Sequence, residues 1–277
     1  MEALVRIADR MGVERMCINM SPPWSHEATP EQFRKSNDDV LAILKEWGSR
    51  AFGFVYLNPV HTRESLAELE RCVADGPMIG IKLWVGTRAN AATLDPIVKR
   101  ARELDALILQ HTWIKQRGKG NLPHESTPME LAELSARHAG FPMICGHTGG
   151  GDWALGIRAI RARPELHADL GGGDPVAGEV EMAVRELGAS RVLYGSDASG
   201  RAHLRMSARR SSAGRCCHAK YAGRSNSHVP PGMMARLRML VSHSCVAKDC
   251  PALPCMAFSA ECARSIRSIT SLRAPSE

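Results

Sequence analysis

Several apolar runs in this 277-residue sequence end in side chains that can do chemistry. ALILQ ends in His111, PMICG ends in His147, VLYGS ends in Asp197, and GIKLW carries Lys82. Two imidazoles and a carboxylate, if brought together, can bind a divalent cation such as zinc. A carboxylate beside such an ion can also take a proton from bound water, whose pKa the metal lowers to roughly 7. Asp197 is thus a candidate metal ligand, a candidate general base, or both. A lone histidine at a strand end is more often a hydrogen-bonded core residue. At the ends of apolar runs, His111, His147 and Asp197 leave both the functional and the structural reading open.

These runs belong to a regular alternation. AFGFVYLNP (51–59), PMIGIKLWVG (77–86), ALILQHTW (106–113), FPMICGHTGGG (141–151), ELHADLGGGD (165–174) and RVLYGSDASG (191–200) read as strands. A further short apolar run lies in VERMCINM. Between them lie segments of helical period. In residues 30–47 the stripe expected to be buried is Val40, Leu41, Ile43 and Leu44. The segment STPMELAELSARHAG opens with Ser126-Thr127-Pro128 and Glu130, a cap-and-proline start, and stops at Gly140. Strands that are nearly continuous apolar runs suit a parallel sheet buried on both faces. About seven are present, one short of a closed eight-stranded β/α barrel. The fold class is therefore α/β, a (β/α)8 TIM-barrel type that is incomplete. No G-x-G-x-x-G opens a helix after the first strand, which weakens the rival dinucleotide-binding sheet. In a barrel the C-terminal strand ends converge on one mouth, where His111, His147, Asp197 and Lys82 would meet.

Composition divides the chain. It holds 36 Lys+Arg against 29 Asp+Glu, a net charge of +7. From Arg201 onward there are 13 basic and 3 acidic residues, so the first 200 residues carry a net charge of −3. Six of the nine cysteines also follow residue 200. Residues 1–200 are read as one domain and 201–277 as a basic, Cys/Arg/Ser-rich, disordered tail. Cysteines of the tail do not meet structural-zinc spacing cleanly, and no aromatic platform accompanies its charge, so neither a zinc site nor nucleic-acid binding is assigned to it. Cys17, Cys72 and Cys145 suit reduced, buried thiols. No run approaches the roughly 20 apolar residues that span a bilayer, and no signal-peptide core opens the chain. The expectation is a soluble, cytoplasmic protein without membrane or nucleic-acid partners.

HTW (111–113), GNLPHESTP (120–128), ICGHTGGGDW (144–153), DLGGGDP (169–175) and LYGSDASGR (193–201) together resemble the amidohydrolase-related branch of the amidohydrolase superfamily. These are metal-dependent β/α barrels, and the resemblance covers residues 1 to about 201. It implies that His111 is a metal ligand or substrate contact, that His147 is a ligand or polarises the scissile group, and that Asp197 is ligand and base. It implies that Lys82 contacts a substrate anion, the alternative being a side chain whose stem is buried and whose head reaches water. Trp113 and Glu125 would shape the pocket. Read without the resemblance, Trp113 is a packing residue and Glu125, like His124, a solvated loop residue. His167 is read as structural, Asp152 and Asp174 as helix caps, and the glycine runs 149–151 and 171–173 as tight turns. His26 and His61 are assigned no role.

Two departures stand out. The family's first strand carries an H-x-H pair of ligands, and none of the 11 histidines here are spaced two apart. The segment RAHLRMSARRSSAGRCCHAKYAGRSNSHVPP shows no clean apolar period, as expected of a coding region read in a shifted frame. The chain is thus expected to start after the family's first strand and to leave the family's frame near residue 201, with an unpaired edge strand and poor solubility. The implied activity is hydrolysis of a small-molecule substrate by a metal-activated water, the metal being zinc or manganese. Its alternative is metal-dependent, non-oxidative decarboxylation of a small carboxylic acid. The non-enzyme alternative is a vestigial barrel with an incomplete metal site. Barrels of this family often pair, which implies a homodimer.

Overall fold

A computed structural model describes residues 2–10, 12–22, 27–115, 122–172 and 177–197. The tail 201–277, its cysteines and histidines, the boundary at residue 200, His26 and Asp174 lie outside the described residues.

The chain alternates helix and strand: α1 (Glu2–Arg10), β1 (Met16–Ile18), α2 (Pro30–Trp47), β2 (Ala51–Leu57), α3 (Thr62–Leu69), β3 (Gly80–Leu83), α4 (Asp95–Glu103), β4 (Leu107–His111), α5 (Pro128–Arg137), β5 (Met143–Gly146), α6 (Trp153–Ile160), β6 (Leu166–Asp169), α7 (Glu179–Leu187) and β7 (Val192–Leu193). The strands form one seven-stranded sheet in sequence order, every neighbouring pair parallel. This is an incomplete TIM-type barrel, a curled half-barrel with β1 and β7 at its edges, as expected from sequence. The last strand is shorter than RVLYGSDASG suggested. Pairing stops at Leu193 because its partner β6 ends at Asp169.

Helix starts follow local chemistry. Thr127 caps α5: its Oγ1 accepts from the Glu130 N–H, and the Glu130 carboxylate accepts the Thr127 N–H at 2.7 Å. This reciprocal pair satisfies two backbone donors that a helix end leaves bare. Replacing Thr127 by Ala should cost about 1 kcal/mol, read as a lower urea midpoint at unchanged slope. The buried stripe of α2 differs from the expectation. Phe33, Ser36, Asn37, Val40 and Leu44 face inward, while Leu41 and Ile43 are only half-buried. A 3.6-residue period running back from Leu44 passes through 40, 37 and 33, so 41 and 43 fall on its flanks. Asn37 enters the stripe because it serves β2: its side chain takes both the N–H and the C=O of Tyr56. β1 reaches only as far as Gly53, so among the described residues no strand meets those groups on that side.

The two faces of the sheet can be told apart. A Cβ on Gly53 would strike Leu44 and Val40 of α2, so residues of its parity on β2 face the helices. Phe54 and Tyr56 then face the inside of the curl. Register carries this face across the sheet: Tyr56 pairs with Lys82, Lys82 with Leu109, Leu109 with Ile144, and Ile144 with His167. His111 and Asp169 continue the same face one step toward the strand ends.

Cys17, Cys72 and Cys145 are free, and burial pushes the Cys72 and Cys145 thiols up to about 12. Among the described residues no helix is long and apolar enough to cross a membrane. Large exposed apolar side chains among them are Met20, Val60, Met129 and Leu155, widely separated in sequence.

Candidate functional site at the strand ends

The curl of the sheet brings His111 and His147 together, their rings 4.9 Å apart and edge to face. Trp113 stacks on His111 at 6.2 Å and meets His147 at 5.4 Å. Its indole lies over Gly150, where a Cβ would come within 2.4 Å of the ring. Trp84 meets His111 edge-on at 6.4 Å. The mouth is thus walled by two indoles and two imidazoles.

His111 ends β4 and is buried. Its Nε2 lies 3.1 Å from Glu125, which also accepts the Leu122 N–H and lies 3.4 Å from the Lys115 ammonium. Burial pushes His111 down to about 4, the neighbouring His147 and Lys82 add to the fall, and Glu125 opposes it. The ring is neutral at pH 7, donates through Nε2 to the carboxylate, and carries its lone pair on Nδ1. Glu125 corrects a sequence expectation. It is buried, not solvated. Burial alone would raise its pKa, but the hydrogen bonds from His111 and Leu122 hold it below the usual carboxylate range. The exposed His124 is as expected.

His147 follows β5 in the 3-10 turn His147–Asp152. Its backbone is left-handed, φ +62°, as is that of Thr148, φ +45°. Residues with a Cβ rarely adopt this conformation, and the surroundings hold it in place. The Asp169 carboxylate accepts the N–H of His147 and the N–H of Gly171, both at 3.2 Å, and the Thr148 hydroxyl donates to the Asp169 carbonyl at 2.8 Å. The imidazole is aimed by its Nδ1–H, which donates to the Gly171 carbonyl at 2.9 Å. Asp169 was not singled out in the sequence. The signal available was its place at the end of an inward-facing parity, two residues before a glycine run. Asp152 caps α6 and accepts the Leu155 N–H, as expected. His167 is buried against the Glu165 carbonyl, which fits its structural reading.

Asp197 lies beyond β7 on the exposed rim, with φ +48°. It shares a neighbour with His147. A Cβ on Gly172 would lie 2.2 Å from His147 Nδ1 and 3.2 Å from Asp197 Oδ2, and Gly172 itself has φ +84°. Only glycine lets the chain pass between the two groups.

Lys82 is 8 % exposed, on the inner face of the curl. Among the described residues its ammonium has no hydrogen-bond or ion-pair partner, the nearest opposite charges being Asp169 and Asp197. Burial pushes its pKa down against the pull of those two carboxylates.

The donors fit a metal ion only in part. His111 Nδ1 and His147 Nε2 are the free ring nitrogens, each held by a hydrogen bond on the opposite nitrogen, the arrangement that orients histidine ligands. Yet among the described residues no group of three or more His, Cys, Asp or Glu is placed to hold a metal ion. His111, His147 and Asp197 are thus not arranged as a three-ligand set, and the residues present do not fit a closed metal centre.

Comparison with known proteins agrees with this architecture. A 2,6-dihydroxybenzoate decarboxylase solved in complex with 2,6-dihydroxybenzoate matches with a TM-score of 0.63 at 14% identity, over 88% of this chain and 86% of that one. A dihydroxybenzoic acid decarboxylase from Polaromonas, with bound manganese and the inhibitor 2-nitroresorcinol, matches with a TM-score of 0.63 at 16% identity, over 88% and 84%. The 5-carboxyvanillate decarboxylase of Sphingomonas paucimobilis matches with a TM-score of 0.60 at 13% identity, over 86% and 82%. At such identities the likeness is one of fold. A search of curated proteins found no match. The amidohydrolase family profile matches residues 9–205, most of the chain and every described strand, and this protein belongs to the amidohydrolase family.

Proposed function

We propose that the mouth binds a small, planar aromatic carboxylic acid and that the reaction is its non-oxidative decarboxylation. The observation that carries this reading is Lys82, a buried lysine whose ammonium has no hydrogen-bond or ion-pair partner among the described residues, on the inner face of a mouth walled by Trp84, Trp113 and His111. A carboxylate supplies the missing acceptor, and a flat ring suits indole and imidazole walls. The solved structures similar in fold act on substrates of this class.

The chain's own residues divide the work. Lys82 holds the carboxylate and Trp113 one face of the ring. Asp197, on the rim, delivers a proton to the ring carbon that bears the carboxylate. The carbon–carbon bond then breaks, its electron pair stays with the ring, and carbon dioxide leaves. Asp197 is reprotonated from solvent, to which it is exposed. Manganese or zinc would supply Lewis-acid chemistry at His111 and His147 only if a further ligand joined them. Hydrolysis places the heavier demand on that centre, since it needs a held and activated water.

The test is to incubate the purified chain with 2,6-dihydroxybenzoate, with and without added manganese or zinc, and to follow carbon dioxide release and ligand heats. Release of carbon dioxide is the expected result. Binding without release points to a vestigial barrel. No binding, with turnover of ester or amide substrates instead, restores hydrolysis.

A further inference from the structure

The two ring nitrogens of His111 serve different places. Nε2 lies 3.1 Å from Glu125 Oε1, inside the fold. Nδ1 has no hydrogen-bond partner among the described residues, yet it is not one of the fully buried polar atoms left unpaired, so it keeps accessible surface. What Nδ1 offers there is set by Glu125. A carboxylate only accepts, so it keeps the proton on Nε2 and leaves a lone pair on Nδ1. Glu125 is itself held in place. Its other oxygen, Oε2, accepts the Leu122 N–H at 3.1 Å and lies 3.4 Å from the Lys115 ammonium. Two donors engage one oxygen and leave the other to the imidazole. His111 also stands on the same face as Lys82 and on the neighbouring strand, two residues beyond Leu109, the register partner of Lys82. A ring whose carboxylate meets Lys82 can therefore present a second substituent to Nδ1.

We propose that Glu125 is a positioning residue that fixes His111 in its Nε2–H form, so that Nδ1 accepts a hydrogen bond from a hydroxyl on the substrate's ring. This rests on the reading of the mouth as a site for aromatic carboxylates. A bare ring displaces water from Nδ1 and returns no donor, whereas a hydroxylated ring supplies one. Selection through a polar group that a wrong ligand strands is stronger than selection by size.

Glu125→Gln keeps the shape and reverses the tautomer. Leu122 and Lys115 still require an acceptor on their side, so the amide oxygen turns to them and the amide nitrogen faces His111. That nitrogen donates, Nε2 must accept, and the ring proton moves to Nδ1. The tautomer is read from the ring nitrogen-15 shifts of the ligand-free protein, with His111 assigned by the signals missing from His111→Gln. Calorimetric titrations with benzoate and the three hydroxybenzoate isomers read the consequence. In wild type the proton is expected on Nε2, and the tightest-binding hydroxybenzoate should bind about tenfold more strongly than benzoate. In Glu125→Gln the proton should sit on Nδ1 and that preference should vanish, while benzoate binds no more weakly. A wild-type ring protonated on Nδ1, or a variant that keeps both tautomer and preference, would overturn the proposal. So would an equal loss of affinity for all four ligands, which would make Glu125 a structural residue. A wild-type chain that binds all four alike removes the acceptor role and leaves the aromatic-carboxylate reading intact. One that binds none of them removes that reading and this proposal with it. If the variant does not fold, the wild-type spectrum and ligand preference decide by themselves.

Discussion

Lys82→Met should make the protein more stable and nearly abolish its affinity for 2,6-dihydroxybenzoate. The two effects have one cause. In the ligand-free fold burial disfavours the charged Lys82 amine, which has no hydrogen-bond or ion-pair partner among the described residues, and Asp169 and Asp197 act on it only from a distance. Methionine fills a similar volume without a polar head, so the substitution relieves a desolvation cost and should add about 1–3 kcal/mol of stability. In the complex the same ammonium is the counter-charge of the carboxylate. Removing it leaves that carboxylate buried and unpaired, which costs about 2–5 kcal/mol, or about 30- to 5,000-fold in affinity. Lys82→Arg should retain part of the binding because the charge survives, though a planar fork does not occupy the place of an ammonium. Urea melts and calorimetric titrations of the three proteins decide the matter. A Lys82→Met chain that is less stable and binds as wild type would show that the lysine is a structural residue. Stability gained as binding is lost is the usual mark of a residue kept for function.

The placement of this site explains which parts were legible in the sequence. Strands β2 to β6 are apolar runs of the right length, and a buried parallel sheet needs little else, so the incomplete barrel could be read directly. His111, His147 and Lys82 stand out because a polar group at the end of an apolar run is conspicuous. Thr127-Pro128 with Glu130 announces a helix start by local chemistry alone. Glu125 could not be read this way. Nothing in PHEST distinguishes a solvated glutamate from a buried one, and its burial arises from His111, fourteen residues away in sequence and on another element. Asp169 was hidden because its work is done through the backbone of His147, across the β5–β6 strand pair. Tyr56 was hidden for the opposite reason. In AFGFVYL it looks like one more core residue, and only its orphaned hydroxyl marks it out. The position of Asp197 was legible, but its exposure was not, because β7 closes after two residues and the rim begins earlier than the motif implies.

Between pH 7 and pH 5 the protein should lose about 4 kcal/mol of stability, above the pH at which ordinary carboxylates are half-protonated. Two buried histidines account for this. Burial pushes His111 to about 4, with a smaller contribution from His147 and Lys82, and pushes His167 to about 4, with help from Arg191. In the unfolded chain both titrate near 6.5. Their pKa values are depressed by folding, so the native state favours the neutral ring. Above 6.5 neither state is protonated and the full stability is present. As pH falls from 6.5 toward 4 the unfolded chain takes up protons that the native chain refuses, and stability declines. At pH 5 each ring contributes a loss of about 2 kcal/mol. Denaturant melts at half-unit intervals measure the slope directly. His167 gives the cleaner variant, because it lies away from the indoles and its only hydrogen bonds are to backbone. His167→Gln should cut the loss between pH 7 and pH 5 to about 2 kcal/mol, whatever its stability at pH 8. An unchanged slope in that variant would mean that His167 is protonated in the native fold, and that the inner face of the curl is wetter than its packing implies. The remaining slope belongs to His111 and should disappear on saturation with manganese or zinc only if that ring's Nδ1 can reach an ion, which makes the same titration a probe of whether the mouth can recruit the ligand it lacks.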